Sequence, residues 1–390
     1  MTAALWVVST GIAAVLWTIV GFPLVLAARA NRARTRSAIK PQLGALPRVT
    51  AVIPVHNGER FVADKIQSVL ESNYPPELLD VILLSDGSTD DTDVVASALA
   101  ASSRVRFVAL PKGGKAVALT AAFELLDCDV VLMTDVRQTL EPQCVRRLVE
   151  QFADSAVGVV SGALKIRSGE TSGESSTGVY WKYESWIREN LSEIDSVLGA
   201  TGPIYAIRRF LVRPLPAGCI LDDVWLPMQA VLDGYRAKLA RDAVAWDYPT
   251  SLTSEFGRKV RTQAGLYQLF QLDTRLLSPN KNRLFWSFVN LKLLRLMLAH
   301  MLIAILVASF FLPSPARDVL LGLQGAFYAM AVIDRFVSDG NVFKKVTAPL
   351  AAFVTLVWAA FCAQSIFFRD PASLWKTTQV RRLAAVEGVK

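Results

Sequence analysis

The chain has 390 residues, enough for one or two domains, and 52% of them are hydrophobic, a high share for a protein surrounded by water. Two histidines argue against a histidine-based zinc site or a Ser–His–Asp triad. The four cysteines (Cys128, Cys144, Cys219, Cys362) lack metal-ligand spacing and read as buried thiols. The net charge of +8 gathers partly beside apolar segments, which fits anionic lipid and not nucleic acid.

In chain order, residues 3–28 carry no charge and can cross a ~30 Å hydrocarbon core as a helix. A cleaved signal peptide is the competing reading. The run is long for that, and Arg29, Arg32, Arg34, Arg36 and Lys40 follow it where a signal peptide has its charges in front. A transmembrane helix is therefore expected at 1–28 and a basic linker at 29–47. The positive-inside rule then puts the next domain in the cytoplasm.

Residues 48–280 alternate strand and helix patterns. "RVTAVIPV" (48–55) leads to the helix-like "ADKIQSVLES", "LDVILLSD" (79–86) to "STDDTDVVASALA", and "VRFVAL" (105–110) to "KAVALTAAFELL". "CDVVLMTD" (128–135) is the fourth strand. Short apolar strands separated by helices predict an α/β fold with a parallel sheet covered on both faces. Ligands bind such sheets at the carboxyl ends of the strands, so Asp86 and Asp135 are expected to face one crevice. No internal repeat stands out, and 168–178 is a Ser/Gly-rich loop.

The C-terminal third turns apolar again. Residues 296–312 and 348–368 are candidate spans, and 319–333 is short for one. "RLFWSFVNLKLLRLM" (283–297) reads either as a helix in the membrane interface or as the cytoplasmic end of the next span. Three spans would leave the basic tail (369–390, with Arg369, Lys376, Arg381 and Arg382) outside, against the charge rule. Interfacial and transmembrane helices are thus expected over 281–368.

Three short motifs carry chemistry. In "LLSDGSTDDT", Asp86 can accept hydrogen bonds from a base or ribose, though an ordinary Asp–Gly turn into a helix reads the same way. "PKGGKAVAL" places two glycines and Lys115 at a helix start, favourable for a phosphate, but without P-loop spacing. Asp135 ends its strand where a carboxylate can hold a metal, yet Arg137 stands where a second carboxylate would be expected.

Taken in order, "VIPVHNGE" (52–59), "DGSTDDT" (86–92), "KGGKAVALTAAF" (112–123), "MTDVRQ" (133–138), "GATGPIYAIRR" (199–209), "ILDDVWLPM" (220–228) and "RKVRTQAG" (258–265) resemble the inverting glycosyltransferases of family 2. The chain is most similar to membrane-bound, synthase-like bacterial members whose metal motif also reads Asp-x-Arg-Gln, a group associated with cell-surface polysaccharide. The resemblance implies the nucleotide-sugar-binding A-type fold with flanking transmembrane helices. It implies a donor site, for a UDP- or other nucleotide-sugar, from Pro54, Val55, Glu59, Asp86, Lys115, Arg137 and Arg261. Asp135 would hold a divalent cation, Mg²⁺ or Mn²⁺, and Asp223 would be the catalytic base. Gly199, Thr201, Gly202 and Asp222 would face the acceptor. The sequence departs from the family pattern at Arg137, Leu221, Asp222, Arg258 and Thr262.

The expected protein is a multi-pass enzyme of the inner (plasma) membrane with a cytoplasmic catalytic domain, extending a cell-surface glycan. Its expected partners are the nucleotide sugar, a glycan or lipid-linked acceptor, membrane lipids and polysaccharide export subunits, with no nucleic acid. Transfer of a single sugar to a polyprenyl-phosphate lipid is the alternative. A donor-sensing subunit without turnover is a third reading.

Overall fold

The computed structural model describes residues 2–34, 44–102, 104–166, 173–248, 252–338 and 340–374. Arg36 and Lys40, residues 168–172 of the Ser/Gly-rich stretch and most of the basic tail lie outside the described residues; 173–178, expected as loop, instead begin the helix Gly173–Ile194.

A helix runs unbroken from Thr2 to Arg34: α1 (Thr2–Leu16), a π turn (Trp17–Gly21) and α2 (Phe22–Arg34). It continues past the charge-free run into the residues expected as linker. The α/β region follows as β1 (Val49–Val55), α3 (Glu59–Leu70), β2 (Leu79–Asp86), α4 (Thr92–Ser102), β3 (Val105–Leu110), α5 (Lys115–Phe123) and β4 (Val130–Met133). Next come β5 (Thr139–Leu140), α6 (Cys144–Val149), β6 (Val157–Ile166), α7 (Gly173–Ile194), β7 (Tyr205–Arg208), α8 (Asp222–Leu232), β8 (Arg236–Asp247) and α9 (Leu252–Leu272). The apolar C-terminal part holds α10 (Phe285–Phe288), α11 (Leu294–Ser309), α12 (Ala316–Ile333) and α13 (Lys344–Cys362).

The strands form one sheet in the order β3-β2-β1-β4-β7-β6-β8-β5. The first four are parallel, as the alternation predicts. The remainder corrects the expectation of a parallel sheet: β7 runs antiparallel to β4 and β6, and β5 antiparallel to β8. The physical reason is the connection: after α7, residues 195–204 bring the chain in at the carboxyl end of β4, so β7 must run the other way. Its first residue, Tyr205, pairs with Met133, the last of β4. The loop before β7 therefore lands beside Asp135.

Side-chain alternation divides the core between the two faces of the sheet. Ala51, Ile53, Leu83 and Leu132 point to one face, where Val62, Ile66 and Val69 of α3 and Leu148 of α6 cover them. Val52, Leu84, Val131 and Met133 point to the other, packed with Leu119 of α5, Leu191 of α7 and Leu226 of α8. Burial of each such side chain stabilises the fold by about 1.5–3 kcal/mol. The second core does not stop at the α/β region: it takes in Phe22 and Leu26 of α2, with Phe288, Leu291 and Leu296 from the C-terminal helices.

Among the described residues, four helices are long and apolar enough to cross a membrane: Thr2–Arg34, Phe285–Ser309, Ala316–Phe336 and Lys344–Phe367. The stretch 283–297 forms no separate helix. From Phe285 it continues through a π turn (Val289–Leu293) into α11, which favours the second of its two readings. At Gly11 a side-chain β-carbon would lie 2.7 Å from Ile305, so this glycine lets α1 and α11 approach closely.

Candidate active site

The crevice forms where parallel strands end and β7 begins. Asp86, the last residue of β2, is 7% exposed, and its carboxylate accepts hydrogen bonds from the backbone N–H groups of Gly113 (2.6 Å) and Gly114 (3.0 Å). It holds the glycine-rich loop in place and retains acceptor capacity for a further donor group. The turn after it needs glycine. At Gly87 (φ +59°) a β-carbon would sit 2.7 Å from the Lys112 backbone nitrogen. Gly114 (φ +88°) then starts α5, with Lys115 as its first residue.

Lys115 connects the two halves of the crevice. Its ammonium lies 3.0 Å from Asp135 and 3.1 Å from Asp222. Burial opposes that charge, but Asp135, Asp222 and Asp223 outweigh it and hold the lysine well above its usual range. Asp222 is buried at the N-terminus of α8, a favourable end for acidic residues, and lies 3.4 Å from the Tyr205 hydroxyl, which donates to it.

Asp223 is half-buried beside it. Removal from bulk water, then the like charge of Asp222, push its carboxyl up to about 7, while Lys115 pulls it down. The glycine loop closes directly on this residue. Ala200 N–H donates to the Asp223 carbonyl (2.6 Å), and a β-carbon at Gly202 would lie 2.8 Å from Asp223 Oδ2. Gly199 (φ +135°) packs on Val224. Thr201 is anchored: its hydroxyl donates to the Gly162 carbonyl (2.8 Å) and accepts from Arg188 (3.1 Å).

Arg137 does not point at open space. Its Nε and Nη2 donate to the two carboxylate oxygens of Asp247 at 2.8 and 2.6 Å. Asp247 ends β8 and is 2% exposed, so this bidentate pair ties the Asp135 loop to the far side of the sheet. Arg258 and Arg261 of α9 line the same side. Burial lowers both, and both feel the Asp135 carboxylate; Arg261 also feels Asp223.

Of the other expected donor residues, Pro54 and Val55 end β1 and Glu59 begins α3. Val55 is 2% exposed in the core, so what it can offer a donor is its backbone. Pro54 is half-buried next to it, and Glu59 accepts a hydrogen bond from Asp91 N–H (3.0 Å).

Sequence reasoning missed Lys65, Asp247, Arg188 and Tyr205. Lys65 is wholly buried under the Asp135 loop, donating to Thr134 Oγ1 (2.5 Å) and to the Gln138 carbonyl (2.6 Å). Thr134 in turn donates to the Pro203 carbonyl (2.7 Å), joining this loop to the glycine loop. Burial pushes the Lys65 ammonium down to about 7, against the pull of Asp135. A signal was present, because Lys65 falls on the apolar stripe Val62–Ile66–Val69 of α3.

No group of three His, Cys, Asp or Glu able to hold a metal occurs among the described residues. Asp135 offers the crevice a partly exposed carboxylate, its side chain 36% accessible. Hard cations are commonly held by one or two carboxylates plus substrate phosphates. This donor set fits a cation shared with a bound diphosphate, and not one caged by protein alone.

A curled, mixed α/β sheet with carboxylates and a lysine gathered at its strand ends is the arrangement of an A-type glycosyltransferase. Residues 50–215 match the family model "Glycosyl transferase family 2". The chain is 32% identical over 123 residues to an N-acetylglucosaminyltransferase of Rhizobium leguminosarum bv. trifolii, covering 30% of this chain and 68% of that protein. It is 24% identical over 218 residues to the probable glycosyltransferase YdaM of Bacillus subtilis (strain 168), covering 52% of this chain. The match spans 51% of YdaM, about half its length. Among solved structures, the mannosyltransferase PcManGT from Pyrobaculum calidifontis, in complex with GDP-Man and Mn²⁺, superposes with a TM-score of 0.69 at 21% identity over 91% of this chain and 99% of its own. The chain belongs to glycosyl transferase family 2.

Proposed function

We propose that this chain transfers a sugar, with inversion, from a nucleotide sugar to a hydroxyl of a glycan or lipid-linked acceptor. The donor we favour is a UDP-sugar. The observation carrying this reading is the placement of Asp223: half-buried, raised towards neutrality, and enclosed by the small residues of the 199–202 loop. The acceptor O–H loses its proton to Asp223 Oδ2 as its oxygen attacks the anomeric carbon. The bond from that carbon to the diphosphate oxygen breaks, and the electron pair leaves with the nucleoside diphosphate. Lys115 and Arg261 stand where that negative charge grows. Asp135 would hold a divalent cation, which when bound supplies further charge to the diphosphate. The cation and the nucleotide sugar are of the classes bound by the mannosyltransferase in its solved structure.

The apolar helices support a membrane-anchored enzyme, and the arginines at the end of α2 support a cytoplasmic catalytic region. The corresponding role is extension of a cell-surface glycan at the inner membrane. Asp223→Asn tests the reading: donor binding should persist while transfer falls by ~10²–10⁴, the usual contribution of a general base. Near-wild-type transfer by this variant would remove Asp223 from the role.

A further inference from the structure

A second charged cluster lies on the membrane side of the base. Glu184 and Arg188, one turn apart on α7, meet Lys292 of the π turn and Arg295 of α11. Arg295 is neutralised by Glu184 at 2.5 Å and lies over the Tyr183 ring. Arg188 donates to the neutral hydroxyls of Ser161 (2.7 Å) and Thr201 (3.1 Å). Among the described residues, neither Arg188 nor Lys292 forms an ion pair with a carboxylate, and Lys292 donates no hydrogen bond. Lys292 is half-buried, flanked by Leu291 and Phe288 in the core. Both cations lie within electrostatic reach of Asp223.

Lys292 and Arg295 sit in a helix apolar enough to enter a membrane, Arg188 faces them from α7, and with Glu184 paired to Arg295 neither Arg188 nor Lys292 has an ion-pair partner of its own among the described residues. Such charges are expensive unless a counter-charge arrives, and intramembrane cations commonly mark a ligand path. The donor diphosphate does not answer this need, because its expected partners are Lys115 and Asp135, which pair with each other and not with this cluster. A neutral sugar chain would not answer it either. Thr201 links the two regions: it accepts from Arg188, and its neighbour Gly202 touches Asp223 Oδ2.

We propose that Arg188 and Lys292 form an anion site for the phosphate or diphosphate of a lipid carrier, holding a short lipid-linked saccharide with its hydroxyl at Asp223. This rests on the glycosyl-transfer reading and narrows its acceptor. The phosphate takes no part in bond making; it anchors the acceptor.

The test is direct binding by the full chain in nanodiscs of neutral lipid. The probes are a radiolabelled prenyl-diphosphate-linked monosaccharide and the same saccharide on an uncharged prenyl chain. The wild type should retain the charged probe at least about tenfold more tightly. Lys292→Met and Arg188→Met should each weaken it about 10–100-fold, the usual loss for a hydrogen bond to a charged group. Lys292→Arg should hold it, which separates lost charge from lost fold. Equal retention of both probes, or of the charged probe by wild type and Lys292→Met, would overturn the site. Inorganic diphosphate distinguishes the sources: a lipid carrier predicts that it competes only at far higher concentration than the lipid probe, and competition at equal concentration would reject the carrier. Intact, charge-dependent binding with no transfer of any sugar would instead count against the glycosyl-transfer reading alone.

Discussion

Gly202→Ala tests whether the glycine loop is built around the base. The added β-carbon would start 2.8 Å from Asp223 Oδ2, and ordinary contact begins near 3.4 Å, so roughly 0.6 Å must be recovered. The loop cannot simply recede. Ala200 N–H is bonded to the Asp223 carbonyl at 2.6 Å, and the Thr201 hydroxyl is fixed to the Gly162 carbonyl. The carboxylate is the end free to turn, and turning takes its oxygen out of line with the acceptor. A misplacement of ~1 Å at a reacting group costs about 10²-fold, so kcat should fall about 10- to 100-fold. Donor affinity should hold, because the nearest atoms the added β-carbon meets belong to Asp223 and to none of the expected donor residues. The assay is initial-rate transfer beside calorimetric donor binding, with Gly257→Ala as control, since a β-carbon there meets nothing within 4 Å. A Gly202→Ala enzyme with wild-type kcat would refute the reasoning.

Transfer should also follow the ionisation of Asp223. Only the deprotonated carboxylate accepts a proton, so kcat/KM should fall as pH drops through about 7; Asp222→Asn, which removes the like charge beside it, should move that limb to lower pH, and a limb fixed in both enzymes would contradict the assignment. A chelator should abolish transfer, with Mg²⁺ or Mn²⁺ restoring it and Asp135→Ala failing at any practical metal concentration. Full activity in chelator would show that Lys115 and the arginines act without a cation. Arg137→Ala leaves the Asp247 carboxylate buried without its partner and should destabilise the protein by about 3–5 kcal/mol, read as thermal unfolding in detergent; a variant melting like wild type would mean the pair is dispensable.

The sequence made the first half of the sheet readable because each β1–β4 strand is a short apolar run followed by its own helix, or ends at a turn. Strand ends locate Asp86 and Asp135 by position alone. The second half was hidden by chain direction. β7 is four residues long, and nothing in "YAIR" tells that it runs against β4. Arg137 and Asp247 lie 110 residues apart, so their pairing depends on β8 reaching β5, a fact of topology with no local trace. Arg188 is similar: its role comes from the helix opposite it. The cations Lys292 and Arg295 were visible as residues, but Glu184, the partner of Arg295, was not.

The buried face shared by α2, the C-terminal helices and the sheet has one more consequence. Segments drawn from composition separate an anchor from an enzyme, yet Leu26, Met133 and Phe288 belong to one continuous core, and the Tyr183 hydroxyl donates to the Ile19 carbonyl across that supposed border at 2.6 Å. Cooperative units follow packing and ignore solvent boundaries. In this chain the apolar helices are therefore load shared with the α/β half: excising them would strip side chains from the same interior that seats α7 and α8, and with them the two aspartates at the head of α8.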